Sequence, residues 1–431
     1  MKKTLIATAL LSLFSVNAAA QSLEEAVAAA LDSHPDVREA FTRYKTREAE
    51  VKIARAGYLP SLDANAGYGY EKTKTDNGAN DELARRELGL SLVQPLFEGF
   101  ATSSEVARTS AERDADRFAL LAKADEIALS VSELYSSVLA SQQLEQLARE
   151  NLEAHQQIHD QIRKRTEAGV ASTSDLSQIN ARLALARSNM VAAVNNRIDL
   201  ESRFLAVVNE RPEALVLPQP DRSLLPGSLD EALKIGRDNH PGLKSAAMDV
   251  EAAKEARERA KSNNYPRLSL ELGQKWDNNI DGVKGANEET QAMLRLRYNL
   301  FSGGADRART EAAAQQMGSA EEINSRAHRQ LEEGIRLSWA GYELVGEQLN
   351  YLREHVESAM ATRNAYQKQF DLGKRSLLDL LDAENELFES RRAFVSGERD
   401  FTLSQYRILN ATGRLLQSMH VRLPASYQQE G

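Results

Sequence analysis

Four short stretches of the chain alternate apolar and polar residues with a period of two, as a half-buried strand does. Leu62, Ala64, Ala66, Tyr68 and Tyr70 share one face, and Leu88, Leu90, Leu92 and Leu96 share one in the next stretch, interrupted by Gln94. Leu268, Leu270, Leu272 and Trp276 lead a second pair, and Ala292, Leu294, Leu296, Tyr298 and Leu300 return, with Arg295, Arg297 and Asn299 opposite. This predicts strand hairpins over about 61–97 and about 267–301, with strands of about ten residues, the length a tilted membrane strand needs. The polar, turn-rich segments 72–86 and 277–291 read as the connecting loops. Four strands leave two unpaired edges and cannot close a lipid-exposed barrel, so several chains must share one.

Elsewhere the period lengthens to seven. Leu380, Leu387, Phe394, Phe401 and Ile408 recur with small Ala383, Ser390, Gly397 and Ser404 between them. Leu176, Leu183, Met190, Arg197 and Phe204 do so earlier, with Ile179, Ala186, Ala193 and Leu200 interleaved. Large and small side chains alternating along a seam predict closely packed antiparallel coiled coils, in which Arg197 is the misfit. Proline, which interrupts helix interiors, is absent from Leu96 to Arg211 and from Arg267 to Leu423. Helices are therefore predicted at 101–168 and 171–209, and at 307–372 and 376–418, giving long helix pairs over about 101–209 and about 307–418. The longer members would reach roughly 100 Å at the helical rise.

The two sets belong to a duplication. Ser22-Leu23-Glu24-Glu25-Ala26 returns as Ser228-Leu229-Asp230-Glu231-Ala232, His34-Pro35 as His240-Pro241, and Pro60 as Pro266. Leu96-Phe97-Glu98-Gly99 then matches Leu300-Phe301-Ser302-Gly303, Gly169 matches Gly373 and Asp175 matches Asp379. Pro212, Pro218, Pro220, Pro226 and Gly227 mark the connector, so the repeats occupy 21–227 and 228–431. Before them, Lys2 and Lys3, an apolar run and Ala18-Ala19-Ala20 make residues 1–20 a secretory signal peptide.

Composition narrows the function. The 431 residues are 42% hydrophobic but only 6% aromatic, which favours long helices over an ordinary globular core. There is no cysteine, which removes disulfides, thiolate chemistry and a lipid-acceptor thiol. A net charge of −9 argues against nucleic acid as a partner. His155 and His159 have metal-ligand spacing but no third ligand, so a solvated helix face is the preferred reading and no metal or cofactor is expected. With no phosphate loop and no nucleophile motif, an enzyme is not expected either.

The signal, the duplicated helix pairs, the two hairpins, the Leu-Phe-x-Gly strand exits at Gly99 and Gly303, and the turn Phe370-Asp371-Leu372-Gly373-Lys374-Arg375-Ser376-Leu377-Leu378-Asp379-Leu380-Leu381-Asp382-Ala383 resemble the TolC family of outer membrane factors. That resemblance implies a mostly α protein with a β-barrel: a homotrimer whose twelve strands form one barrel in outer membrane lipid and whose coiled coils form a periplasmic tunnel. It implies passive export, docked to a periplasmic adaptor and an inner-membrane ABC or RND-type transporter. The absence of a lipid-acceptor cysteine favours type I protein secretion, with multidrug or small-molecule efflux as the alternative; an exported coiled-coil scaffold is the reading of another class.

The resemblance also assigns residues. Asp379 and Asp382 match a periplasmic entrance ring of acids, although acids at a helix start also favour the positive dipole end without any further role. Arg375, Ser174 and Asp175 match the latch that holds the entrance shut. Phe370 stands where family members carry tyrosine, so a hydroxyl contact is missing there. Gly169 and Gly373 mark the helix turns.

Overall fold

A computed structural model describes residues 21–74 and 80–428, so the expected signal peptide lies outside the described residues. The chain runs twice through one series of elements. In the first half α1 (Leu23–Ser33) and α2 (Pro35–Ala56) precede β1 (Ser61–Lys74) and β2 (Asn80–Phe97), then α3 (Ala101–Glu167) and α4 (Thr173–Val208). In the second, α5 (Leu229–Asn239), α6 (Pro241–Lys261), β3 (Arg267–Ile280), β4 (Val283–Arg297), α7 (Ala305–Asp371) and α8 (Leu377–Ala411) repeat it, followed by short α9 (Leu415–Ser418) and α10 (Ala425–Gln428). No described helix is long and apolar enough to cross a membrane. The chain forms two compact units that each draw on both halves: one comprises residues up to 35, 124–232 and from 335 onward, the other 36–123 and 233–334.

The second unit holds the sheet, in the order β1-β2-β3-β4 with every pair antiparallel. The register lines up the sequence pattern across strands. Leu62 faces Leu92, which faces Leu272, which faces Ala292; Leu270 faces Leu294, and Leu268 faces Leu296. Asp63, Ser91, Gly273 and Gln291 form the neighbouring row on the opposite face. One face is thus apolar and the other polar, because successive side chains of a strand alternate.

Four expectations need correction. The strands are 14, 18, 14 and 15 residues long rather than about ten. They run through most of 72–86 and 277–291, segments whose polar, turn-rich sequence reads as loop, because ladder hydrogen bonds form whatever the side chains are and polar residues pair readily where both faces are wet. The β3–β4 hairpin closes on Asp281-Gly282, both at positive φ, a two-residue turn whose Asp-Gly signal was present in the sequence. β4 ends at Arg297, short of 301. Finally, Leu96 does not continue the apolar row: the register slips between Pro95 and Phe97, and Phe97 takes the place opposite Leu268. Pro95 offers no N–H to the ladder, and a bulge accommodates it.

The first unit is held together by heptad packing. Leu380, Ala383, Leu387, Ser390, Ser404 and Ile408 of α8 are buried, as are Ile179, Leu183, Ala186 and Phe204 of α4. At Gly397 a Cβ would lie 2.8 Å from Leu352 Cδ1 of α7, so the small seam residue permits the close approach of α7 and α8. Arg197, the misfit of the α4 seam, reaches Glu145 of α3 and Glu201, so its charge is paired rather than buried alone. The single Tyr135 hydroxyl proton of α3 is shared between the Gln21 and Val216 carbonyls, each 2.7 Å away, and its oxygen accepts from Val216 N–H, which ties the segment before α1 and the one after α4 to the helix.

The last long helix also departs from expectation. α8 stops at Ala411 instead of continuing to 418. Gly413, at φ 69°, donates to the Asn410 carbonyl at 2.9 Å while Arg414 N–H reaches Leu409 at 2.8 Å, a left-handed C-terminal cap that ends the helix before α9 restarts.

Candidate functional site

Two helix turns of the first unit carry the residues singled out from the sequence, and both are built alike. At the end of α3, Gly169 sits at φ 70°, its N–H on the Thr166 carbonyl and Val170 N–H on Arg165. At the end of α7, Gly373 sits at φ 68°, its N–H on Phe370 and Lys374 N–H on Gln369. Each is the same left-handed cap, which glycine enters without steric cost.

Three residues after each glycine a serine starts the next helix. Ser172 accepts from Asp175 N–H at 3.1 Å, and the Asp175 carboxylate accepts from Ser172 N–H at 3.3 Å. Ser376 accepts from Asp379 N–H at 3.2 Å and donates its hydroxyl to the Asp379 carboxylate at 2.7 Å. Asp175 and Asp379 therefore occupy equivalent capping positions, stabilised by the free N–H groups and dipole of the helix start. The Ser-x-x-Asp spacing was legible in the sequence, and the two serines were missed as caps.

The remaining residues do not gather into one intrachain network. Ser174 bonds the Ser172 hydroxyl at 2.7 Å. Arg375 lies with its guanidinium 4.0 Å from the Tyr366 ring centroid, donates to Gln369 at 3.0 Å and stands 3.8 Å from Asp379. Within the chain it meets neither Ser174 nor Asp175 in any bond the structure records. Phe370 is buried with Ile158, Ile162, Ile179, Leu377, Leu380 and Leu381, and Arg165 lies over its ring at 5.0 Å. The position that lacks a hydroxyl is occupied by packing. Asp382, one turn beyond Asp379, is exposed and pairs with Arg182 of α4 at 2.9 Å. Arg182 was missed because a contact across 200 residues leaves no local signal.

Against the expected solvated face, His155 is buried with its Nδ1 2.8 Å from the Asn151 carbonyl of its own helix, because it lies on the packed side of α3, while His159 lies beside Asp160. Among the described residues no group of three or more metal-ligating side chains occurs.

The family model described as outer membrane efflux protein matches residues 8–208 and 233–414, most of both repeats. The chain belongs to this family. Among its relatives, the outer membrane efflux protein BepC of Brucella suis is 25% identical over 422 residues, covering 96% of this chain and 91% of the relative. The alkaline protease secretion protein AprF of Pseudomonas aeruginosa is 23% identical, covering 93% and 86%. The CmeC outer membrane channel of Campylobacter jejuni shares the fold, with a TM-score of 0.81 at 16% identity over 91% of this chain and 86% of that one. The chain is therefore a TolC-type outer membrane channel protein, a transport protein and not an enzyme.

The protein belongs to the outer membrane, with a large periplasmic portion. Each strand pair leads into α3 or α7, and the turn at Gly169 or Gly373 follows the 67 residues of that helix.

Proposed function

We propose that three copies of this chain form one channel-tunnel, with a twelve-stranded barrel in the outer membrane, and that an inner-membrane transporter and a periplasmic adaptor drive export through it. The observation that carries this reading is the sheet. Its apolar face is bare, with Leu62 69% exposed, Tyr68 78%, Leu294 62% and Leu296 66%, and β1 and β4 each pair on one side only among the described residues. A contiguous apolar face of this kind needs lipid, and two open edges in lipid need further strands.

The strand exits support a second copy independently. A Cβ on Gly99 would meet the Ser262 carbonyl oxygen at 2.6 Å and Tyr265 at 2.7 Å, and Phe100 stacks edge-on against Tyr265. The repeat-related Gly303 has nothing within 4 Å, and Phe301 beside it is 85% exposed. The counterparts of Ser262 and Tyr265 are Ala56 and Leu59, and Leu59 is 64% exposed. The half-filled exit and the unused filler belong together across a chain boundary. In the coiled part, Val191, Ile198 and Leu205 on α4 and Leu337, Leu344 and Tyr351 on α7 are exposed at heptad spacing, two further seams without intrachain cover.

The entrance lies at the capped turns, where Asp379 and Asp382 of three chains supply the acidic ring and Arg375, Ser174 and Asp175 act between chains. The cargo is a protein delivered by a type I secretion system. AprF carries secretion in its name and BepC efflux, so the cargo decides between the two branches. Deleting the gene tests it: loss of a protein from the culture medium with unchanged drug sensitivity is the expected result, and heightened drug sensitivity with an intact set of secreted proteins would assign the chain to efflux.

A further inference from the structure

We propose that Arg182 sets the charge of the channel entrance, holding Asp382 against α4 and neutralising it, so that this carboxylate attracts cations only when the pair opens. The inference rests on the channel reading above. One side of α8 carries Asp379, Asp382, Glu386 and Glu389 in successive turns. Three of them have an arginine neighbour, Arg375 at 3.8 Å, Arg182 at 2.9 Å and Arg392 at 3.0 Å, and Glu386 has the His355 Nε2 at 2.7 Å. Arg375 and Arg392 are local to α8 or its turn, and His355 belongs to α7. Arg182 alone in this set belongs to the other half of the chain.

The duplication sharpens the point. Asp382 corresponds to Gln178, and Arg182 corresponds to Glu386. The first half thus carries an amide and a base where the second carries two acids, so α4 presents the neutral-to-basic counterpart of the acidic row on α8. Side-chain exposures of 30% for Arg182 and 57% for Asp382 keep both groups within reach of water and passing ions. An ion pair this exposed adds little to stability. Its consequence is electrostatic: with Arg182 in place Asp382 contributes no net charge to the constriction, and in an assembly of three chains losing Arg182 exposes three more negative charges where a narrow passage concentrates the field.

The experiment uses the full-length protein in planar bilayers, with lanthanum ion added on the side of the helix turns as the probe. Arg182→Gln is expected to bind lanthanum about tenfold more tightly and to move the reversal potential in a salt gradient toward cation selectivity. Asp382→Asn leaves Arg182 as an unpaired cation and should weaken block and move the reversal potential away from cation selectivity, and the exchanged pair Arg182→Asp with Asp382→Arg should return both readings toward wild type. Arg182→Gln channels with unchanged block and unchanged reversal potential overturn the inference while leaving the channel reading intact. Wild-type protein that inserts but conducts nothing would overturn the channel reading itself. A variant that fails to conduct is answered by the exchanged pair, which restores the contact: conduction with wild-type selectivity supports the inference, and conduction with the selectivity of Asp382→Asn contradicts it.

Discussion

Asp125 of α3 is 8% exposed, with Leu416 N–H as a partner for its carboxyl and Asn410 bonding its main-chain carbonyl at 3.1 Å. Burial pushes its pKa up to about 7, against the usual carboxylate range near 4, with the Leu416 N–H opposing. The folded chain therefore keeps a proton that the unfolded chain has already lost between about pH 4 and pH 7, and stability from this group falls as pH rises through that window. The difference amounts to at most roughly 4 kcal/mol. Asp125→Asn, which keeps the acceptor and removes the charge, should raise thermal stability at pH 8 and do little at pH 4, read from the loss of helical circular dichroism. A variant less stable than wild type at pH 8 would show that the carboxylate is stabilised at this place.

At the scale of elements, the two strand exits give a comparison within one chain. Both Gly99 and Gly303 sit near φ 65°, a conformation that costs another residue about 1–2 kcal/mol. At Gly99 a Cβ also collides with main-chain oxygen, so Gly99→Ala should cost about 1–3 kcal/mol more and lower the yield of folded chain. Gly303→Ala meets nothing within its own chain. If the Ala56–Leu59 segment of the next copy fills that exit, the variant keeps its helical content and loses trimer in detergent. An undiminished trimer would rule that contact out.

The same exits show what local pattern reveals. Period-two alternation placed all four strands, because one face must be apolar along its whole length, and it failed at Leu96, where a proline-linked bulge breaks the period. Strand ends were placed short because the outer parts are polar on both faces and hold through backbone bonds that carry no side-chain signature. The helix stop at Gly413 was written in the sequence, yet the apolar heptads run up to it and mask it. Of the residues at the two helix turns, the glycines and the capping acids are legible as spacing. The Arg182–Asp382 contact was not, since it depends on how α4 and α8 pack.

For the whole molecule, the proposed assembly gives four features one remedy: lipid would cover the bare apolar face, and further copies of the chain would complete the open strand edges, the empty exit at Gly303 and the exposed heptad seams. No single chain is a channel. The mass of the protein extracted from the outer membrane in mild detergent tests this most directly. A particle of three chains, stable without cross-linking, is the predicted result; a stable monomer recovered from the soluble periplasmic fraction would contradict the account.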